Sequence, residues 1–163
     1  MIDTDRMHII PLTAQQFRYW IEDISALEKV LNCSYQAEPL EGVFLDILKN
    51  QLEITENDES NYLYHTFWFL ITKTSRIVVG SADFKGTPSK SGEVEIGYGL
   101  GKAFEHNGYM TEAIKAMCEW ALIQNDISHI VAETNADSQA SHNILKRCGF
   151  SLYKQGDTYW WRL

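Results

Sequence analysis

Apolar and polar positions along the chain sketch an ordered set of elements. Thr13 with Gln16 three residues later forms a capping box. Phe17, Trp20, Ile21, Ile24, Leu27, Val30 and Leu31 then recur three or four apart, which predicts one amphipathic helix over residues 13–32. Beyond Pro39, the residues Leu40, Val43, Phe44, Ile47, Leu48 and Leu52 repeat that spacing and predict a second helix. The acidic stretch 53–61, with Glu53, Glu56, Asp58 and Glu59, reads as a solvated loop. From Thr66 the pattern becomes β-branched and aromatic, and predicts three strands over 66–72, 76–84 and 93–98. Residues 73–75 are short enough to close a hairpin, whereas 86–92 form a longer turn.

Helical spacing returns with Met110, Ala113, Ile114, Met117 and Ala121, followed by a strand over 129–134. A fourth helix spans 138–148, ended by Gly149. Two short strands, 150–154 and 158–162, close the chain around Gly156 and Asp157. Helices, a strand meander and then alternating helix and strand make a mixed fold, α+β in the first half and α/β in the second.

Composition narrows the class. A chain of 163 residues, 45% apolar and 12% aromatic, fits one domain over 1–163 with a full core, and excludes disorder or a disulfide-stapled miniprotein. Fourteen Lys and Arg against 22 Asp and Glu, a net charge of −8, oppose a phosphate backbone, so no nucleic-acid partner is expected. The longest apolar run, 67–71, falls far short of a membrane helix, and residues 1–6 lack a signal peptide's apolar core. A cytoplasmic protein with no membrane partner is the expectation. Cys33, Cys118 and Cys148 are too scattered for a zinc pattern, so no metal is expected.

Chemistry concentrates in residues 93–117: a strand, a loop with Gly99, Gly101 and Gly108, then a helix. A helix N-terminus offers unpaired backbone N–H groups that attract an anion, so the unit suggests a phosphate-bearing ligand. A Walker A loop ending at Gly101 and Lys102 fails because Ile96 and Ala103 stand where Gly and Ser or Thr are required. Gly97, Gly99 and Gly101 do not complete a dinucleotide-binding G-x-G-x-x-G.

The segment resembles the acyl-CoA site of the GNAT superfamily of N-acetyltransferases, in particular the Rim-type ribosomal-protein branch. Glu95, Ile96, Gly97, Tyr98, Leu100, Gly108, Tyr109, Thr111, Glu112 and Ala113 match its first block, and Ser138, Ser141, Leu145, Arg147, Gly149 and Phe150 its second. The resemblance implies a three-layer fold: a mostly antiparallel sheet of six or seven strands with one splayed pair, flanked by four helices. It implies a CoA-binding core over 93–150 and acceptor-side elements over 13–62. Acetyl-CoA would be the cosubstrate, held by Tyr98, Gly99, Leu100, Ala103, Glu105, His106, Asn107, Gly108, Tyr109, Met110, Ser138 and Asn143. The family's pyrophosphate signature falls on residues 103–108 and keeps only Gly108. Backbone amides do most of the holding in such a loop, and His106 in place of glycine is accommodated if it adopts a left-handed conformation. Lys102 replaces a proline, and Leu145 stands where many relatives carry a tyrosine acid.

Acetyl transfer needs a neutral amine, a stabilised thioester oxygen and a proton for the departing thiolate. Freeing an α-amine of pKa about 7.8 costs roughly 1 kcal/mol at pH 7, against about 4.6 for a lysine. Glu95, just before the Ile96-Gly97-Tyr98 bend, is the expected base, directly or through water. Tyr98 and Ser141 are the candidates for proton supply to sulfur. Gly97 and Gly99 suit close approach of another backbone or ligand. His106 and His142 read as loop and helix-surface residues, and Cys148 as packing. The resemblance implies an N-acetyltransferase acting on a primary amine by direct attack in a ternary complex, with a protein or peptide N-terminus favoured. A small-molecule amine acceptor and a non-catalytic acyl-CoA sensor stay open, as do monomer and homodimer.

Overall fold

A computed structural model describes residues 1–163. The strands are β1 (Ile2–Asp3), β2 (Met7–Pro11), β3 (Ser34–Tyr35), β4 (Phe67–Thr72), β5 (Ile77–Phe84), β6 (Glu93–Leu100), β7 (His129–Asn135), β8 (Ser151–Gln155) and β9 (Thr158–Arg162). The helices are α1 (Ala14–Glu22), α2 (Ile24–Leu31), α3 (Gly42–Asn57), α4 (Tyr62–His65), α5 (Tyr109–Leu122) and α6 (Gln139–Arg147). The strands form one sheet in the order β1-β2-β4-β5-β6-β7-β9-β8, with β3 added alongside β5. All pairings are antiparallel except β3 with β5 and β6 with β7.

Both faces of the sheet are covered, which is why β4 reads as an unbroken apolar run. Phe67, Phe69 and Ile71 face one side, where Phe17, Trp20 and Leu27 of α1 and α2 pack with Leu48 and Leu52 of α3. Trp68 and Leu70 face the other, against Met110, Ala113, Ile114, Met117 and Ala121 of α5 and Leu145 of α6. Trp20 lies edge-on to Phe69 at 4.7 Å and 89°. Full burial of such a side chain contributes about 1.5–3 kcal/mol, and the edge-to-face pair about 0.5–1.5 more. This anchor fixes the first two helices, and with them the segment that follows β3, against β4 and β5.

The fold differs from its sequence expectation in four places. The single helix over 13–32 is two, because Asp23 takes φ −150° and its carboxylate accepts from the Ala26 amide at 3.1 Å, capping α2. The loop over 53–61 is helical to Asn57, where Thr55 and Leu52 are buried beneath the charged residues. The sheet has nine strands rather than six or seven, since β1, β2 and β3 are too short to show a period. Six helices replace four. The αL expectation at His106 is met, with φ 62°.

Candidate active site

β6 carries the site. Residues 96–100 pair antiparallel with β5, from Ile96 opposite Phe84 to Leu100 opposite Gly80. On its other edge β6 pairs with β7 only through Glu93, Val94 and Glu95. Past that point β7 pairs only with β9, so the strands splay and residues 96–100 turn a free backbone edge to the gap. A cavity of about 320 Å³ opens there, lined by Ile96, Gly97, Tyr98, Glu133, Thr134, Asn135, Ser138, Ser141 and Thr158.

The start of α5 lies at the far end of a second, larger cavity of about 470 Å³. Gly108 is the N-cap with φ 77°, and no side chain caps the helix. The first intrahelical bond runs from the Glu112 amide to Gly108, which leaves the amides of Tyr109, Met110 and Thr111 without intrahelical acceptors. Arg6 of the β1–β2 turn fastens this end from outside. Its Nη1 donates to the Asn107 carbonyl at 2.8 Å, its Nε meets Glu112 Oε2 at 2.6 Å, and its guanidinium lies 4.6 Å over the Tyr109 ring. Burial raises the Glu112 carboxyl, but hydrogen bonds from Thr4 and Arg6 and the Arg6 charge outweigh it and hold it below the ordinary range.

The larger cavity is lined by ten of the twelve residues expected to hold the cosubstrate: Tyr98, Gly99, Leu100, Glu105, His106, Gly108, Tyr109, Met110, Ser138 and Asn143. Ala103 and Asn107 do not line it. Ala103 is exposed in the 3₁₀ turn Lys102–Phe104, and the Asn107 amide closes the loop on itself by donating to Phe104 and Glu105 at 3.1 and 2.9 Å. Arg147 joins the lining and carries a positive charge into it.

Of the expected catalytic residues, Tyr98 and Ser141 line both cavities, and Glu95 lines neither. Glu95 stands where β6 and β7 last pair, opposite Val131. Burial pushes its carboxyl up, Lys85 opposes this, and Glu133 and Asp83 add to it. The Tyr98 hydroxyl points at the Ser141 carbonyl from 3.5 Å, and burial pushes its pKa up to about 12. His142 is a correction to the surface reading: it is 6% exposed and stacked at 5.3 Å on Tyr159. The Cys148 thiol, pushed up to about 11 by burial, lies 3.6 Å from the Thr111 carbonyl and packs as expected.

The strand glycines admit this chain's own side chains. A Cβ on Gly97 would stand 2.6 Å from Lys85 Nζ and 2.9 Å from Asp83 Oδ1. Asp83 is 4% exposed and paired with Lys85 at 3.1 Å; burial pushes its carboxyl up against the pull of that partner. A Cβ on Gly99 would collide with the Glu38 carboxylate. Sequence reasoning missed Glu38, Asp83, Lys85 and Glu133, and placed Arg147 in the second matched block without a site role. Only the Gly97-x-Gly99 spacing hinted that something closes on that face.

The acetyltransferase (GNAT) domain model matches residues 5–151. The chain belongs to the GNAT family. A relative from Bacillus subtilis, the uncharacterized N-acetyltransferase YjdG, is 32% identical over 92 residues, covering 56% of this chain and 55% of that protein. The uncharacterized N-acetyltransferase p20 of Bacillus licheniformis is 25% identical over 50% of this chain and 46% of its own length. The chain thus spans about half the length of the curated relatives it matches. The fold matches a ribosomal-protein-S5-alanine acetyltransferase from Vibrio fischeri at TM-score 0.70, 13% identity and coverage of 99% and 94% of the two chains. It also matches RimL, a ribosomal L7/L12 α-N-protein acetyltransferase in complex with coenzyme A, at TM-score 0.67, 16% identity and coverage of 98% and 94%.

Proposed function

We propose that this protein is an acetyl-CoA-dependent N-acetyltransferase that acetylates a primary amine by direct attack in a ternary complex. The observation that carries the reading is one continuous cavity joining an uncapped helix N-terminus to the free edge of a splayed strand. Those features fit coenzyme A. The open amides of residues 109–111 suit a diphosphate, with Arg147 adding positive charge beside them. The unpaired edge of residues 96–100 suits the amide-bearing pantetheine arm.

Acetyl-CoA supplies an acetyl group activated as a thioester. The chain's own part is to hold, polarise and move protons. Amides near Tyr98–Leu100 polarise the thioester oxygen, each such donor being worth about 3 kcal/mol. Glu95 lines neither cavity, so it takes the amine proton through water held in the gap above Gly97. Its raised proton affinity brings it closer to the working pH. Tyr98, held near pKa 12, does not surrender its proton to a thiolate of ordinary pKa about 8.5, an uphill transfer of several kcal/mol. Tyr98 and the Ser141 hydroxyl therefore stabilise the leaving sulfur as donors, and water delivers the proton.

A peptide or protein N-terminus is the favoured acceptor. The Rim-type structures of the same fold support it by their names, and the modest cost of freeing an α-amine supports it on energy. Calorimetry with acetyl-CoA, followed by thiol release with a panel of N-terminal peptides and small amines, tests the proposal. Binding with peptide-dependent thiol release is expected. Binding without release from any amine leaves an acyl-CoA sensor, and absence of binding overturns the enzyme assignment.

A further inference from the structure

Glu38 is a half-buried carboxylate without a partner in the chain. Its side chain makes no hydrogen bond or ion pair in a protein where Arg6, Arg18 and Lys85 all have carboxylate partners. It is nonetheless held in place. The Tyr35 hydroxyl donates to the Glu38 carbonyl at 2.6 Å, and the Gln36 amide donates to Val78 at 3.2 Å, extending the β3–β5 pairing. The Gln36 carbonyl is close enough to β6 that a Cβ on Gly101 would stand 2.9 Å from it. Tyr35 in turn packs on Trp20 and Phe69. The segment is thus fixed over the end of β6, and the carboxylate rests on Gly99 where no side chain intervenes.

Resting on the acetyltransferase reading above, we propose that Glu38 is the acceptor-orienting residue: its carboxylate accepts a hydrogen bond from the incoming amine and holds that nitrogen over Gly99. Glu38 lines the cavity that begins at the α5 amides, so a ligand anchored there by its phosphates brings its far end beneath this carboxylate. Gly99 faces the same side of β6 as Gly97, whose missing side chain leaves room for Lys85 and Asp83. Lys85 is occupied by Asp83, so the free charge on this face is negative and selects a cationic or hydrogen-donating acceptor. In the transfer the amine nitrogen forms the C–N bond, the C–S bond breaks with its electron pair on sulfur, and one proton leaves nitrogen while one reaches sulfur. Glu38 orients the nitrogen but does not retain the proton, which leaves through the water at Glu95.

The test uses the full chain, wild type against Glu38→Gln and Glu38→Asp, with saturating acetyl-CoA and four probes: glycinamide, alanine amide, alanyl-glycine amide and 1,4-diaminobutane. For the probe the wild type turns over best, Glu38→Gln is expected to raise KM at least tenfold with kcat changed less than threefold, and Glu38→Asp to fall between. Acetyl-CoA Kd and melting temperature should match wild type, because the side chain holds nothing else. A readout without turnover is calorimetry of the same probe into CoA-loaded protein, where Glu38→Gln should weaken binding tenfold. An unchanged KM, or a changed acetyl-CoA Kd, overturns the proposal while leaving the transferase reading intact. If wild type binds acetyl-CoA but releases no thiol with any probe, the transfer reading falls, and this inference with it.

Discussion

Gly108→Ala probes the anion cradle without knowledge of the acceptor. Gly108 sits at φ 77°, and a Cβ there would stand 3.4 Å from Arg6 Nη2, a contact that needs little adjustment. The main cost is therefore conformational: an L residue in the left-handed region loses about 1–2 kcal/mol. For a chain of this length each kcal/mol moves the melting temperature by about 2–4 °C, so a drop of roughly 2–8 °C is expected. The alternative for the chain is to rotate the peptide and relieve the strain, which turns the amides of residues 109–111 away from the cavity. A hydrogen bond to a charged group is worth about 1.5–3 kcal/mol, so loss of one amide weakens CoA binding about tenfold to a hundredfold. Differential scanning fluorimetry and calorimetry with CoA measure the two quantities on one sample. An unchanged melting temperature together with unchanged CoA affinity would refute this account of Gly108, since the chain must take one route or the other. The converse substitution, His106→Gly, relieves strain at φ 62° and should raise the melting temperature by a few degrees with CoA affinity retained.

Three further outcomes follow from the same geometry. Burial raises the Glu95 proton affinity, so kcat should fall as pH drops through a point above the ordinary glutamate range; Glu95→Gln should lower kcat at least a hundredfold and abolish that limb, and a retained limb would assign the base elsewhere. Arg6→Ala removes a partly exposed clamp, so it should cost only about 1 kcal/mol in urea unfolding yet raise the CoA Kd severalfold; because Glu112 is held below its ordinary pKa, that contribution is present above the unfolded value and is lost as pH falls through the folded one, so the two proteins should differ at neutral pH and converge in acid, and an equal loss of stability on acidification in both would contradict the clamp. Gly97→Ala drives a methyl into the Asp83–Lys85 pair; displacing the half-exposed lysine leaves the buried carboxyl unpaired and should cost about 1–3 kcal/mol in denaturant midpoint, which an unchanged midpoint would disprove.

Much of the molecule was legible one segment at a time. The α5 and α6 periods, the long strands β4, β5 and β6 and the Gly149 stop emerge because each repeats a local rule over enough residues to be seen. The uncapped start of α5 was legible because it needs only a glycine and a helix start, and those are written in order between Gly99 and Thr111. What stayed hidden depends on partners far along the chain. The strand β2 is five residues that gain a period only between β1 and β4, and Arg6 becomes a clamp only because that strand begins beside Glu112. Asp23 breaks a helix whose apolar spacing runs straight through it, since a cap competes locally with a pattern that tolerates either outcome. Glu38 lies in a stretch with no period at all. Its carboxylate meets Gly99 because β3 pairs with β5 and lays the next residues across β6, a crossing that no spacing of residues along the chain can announce.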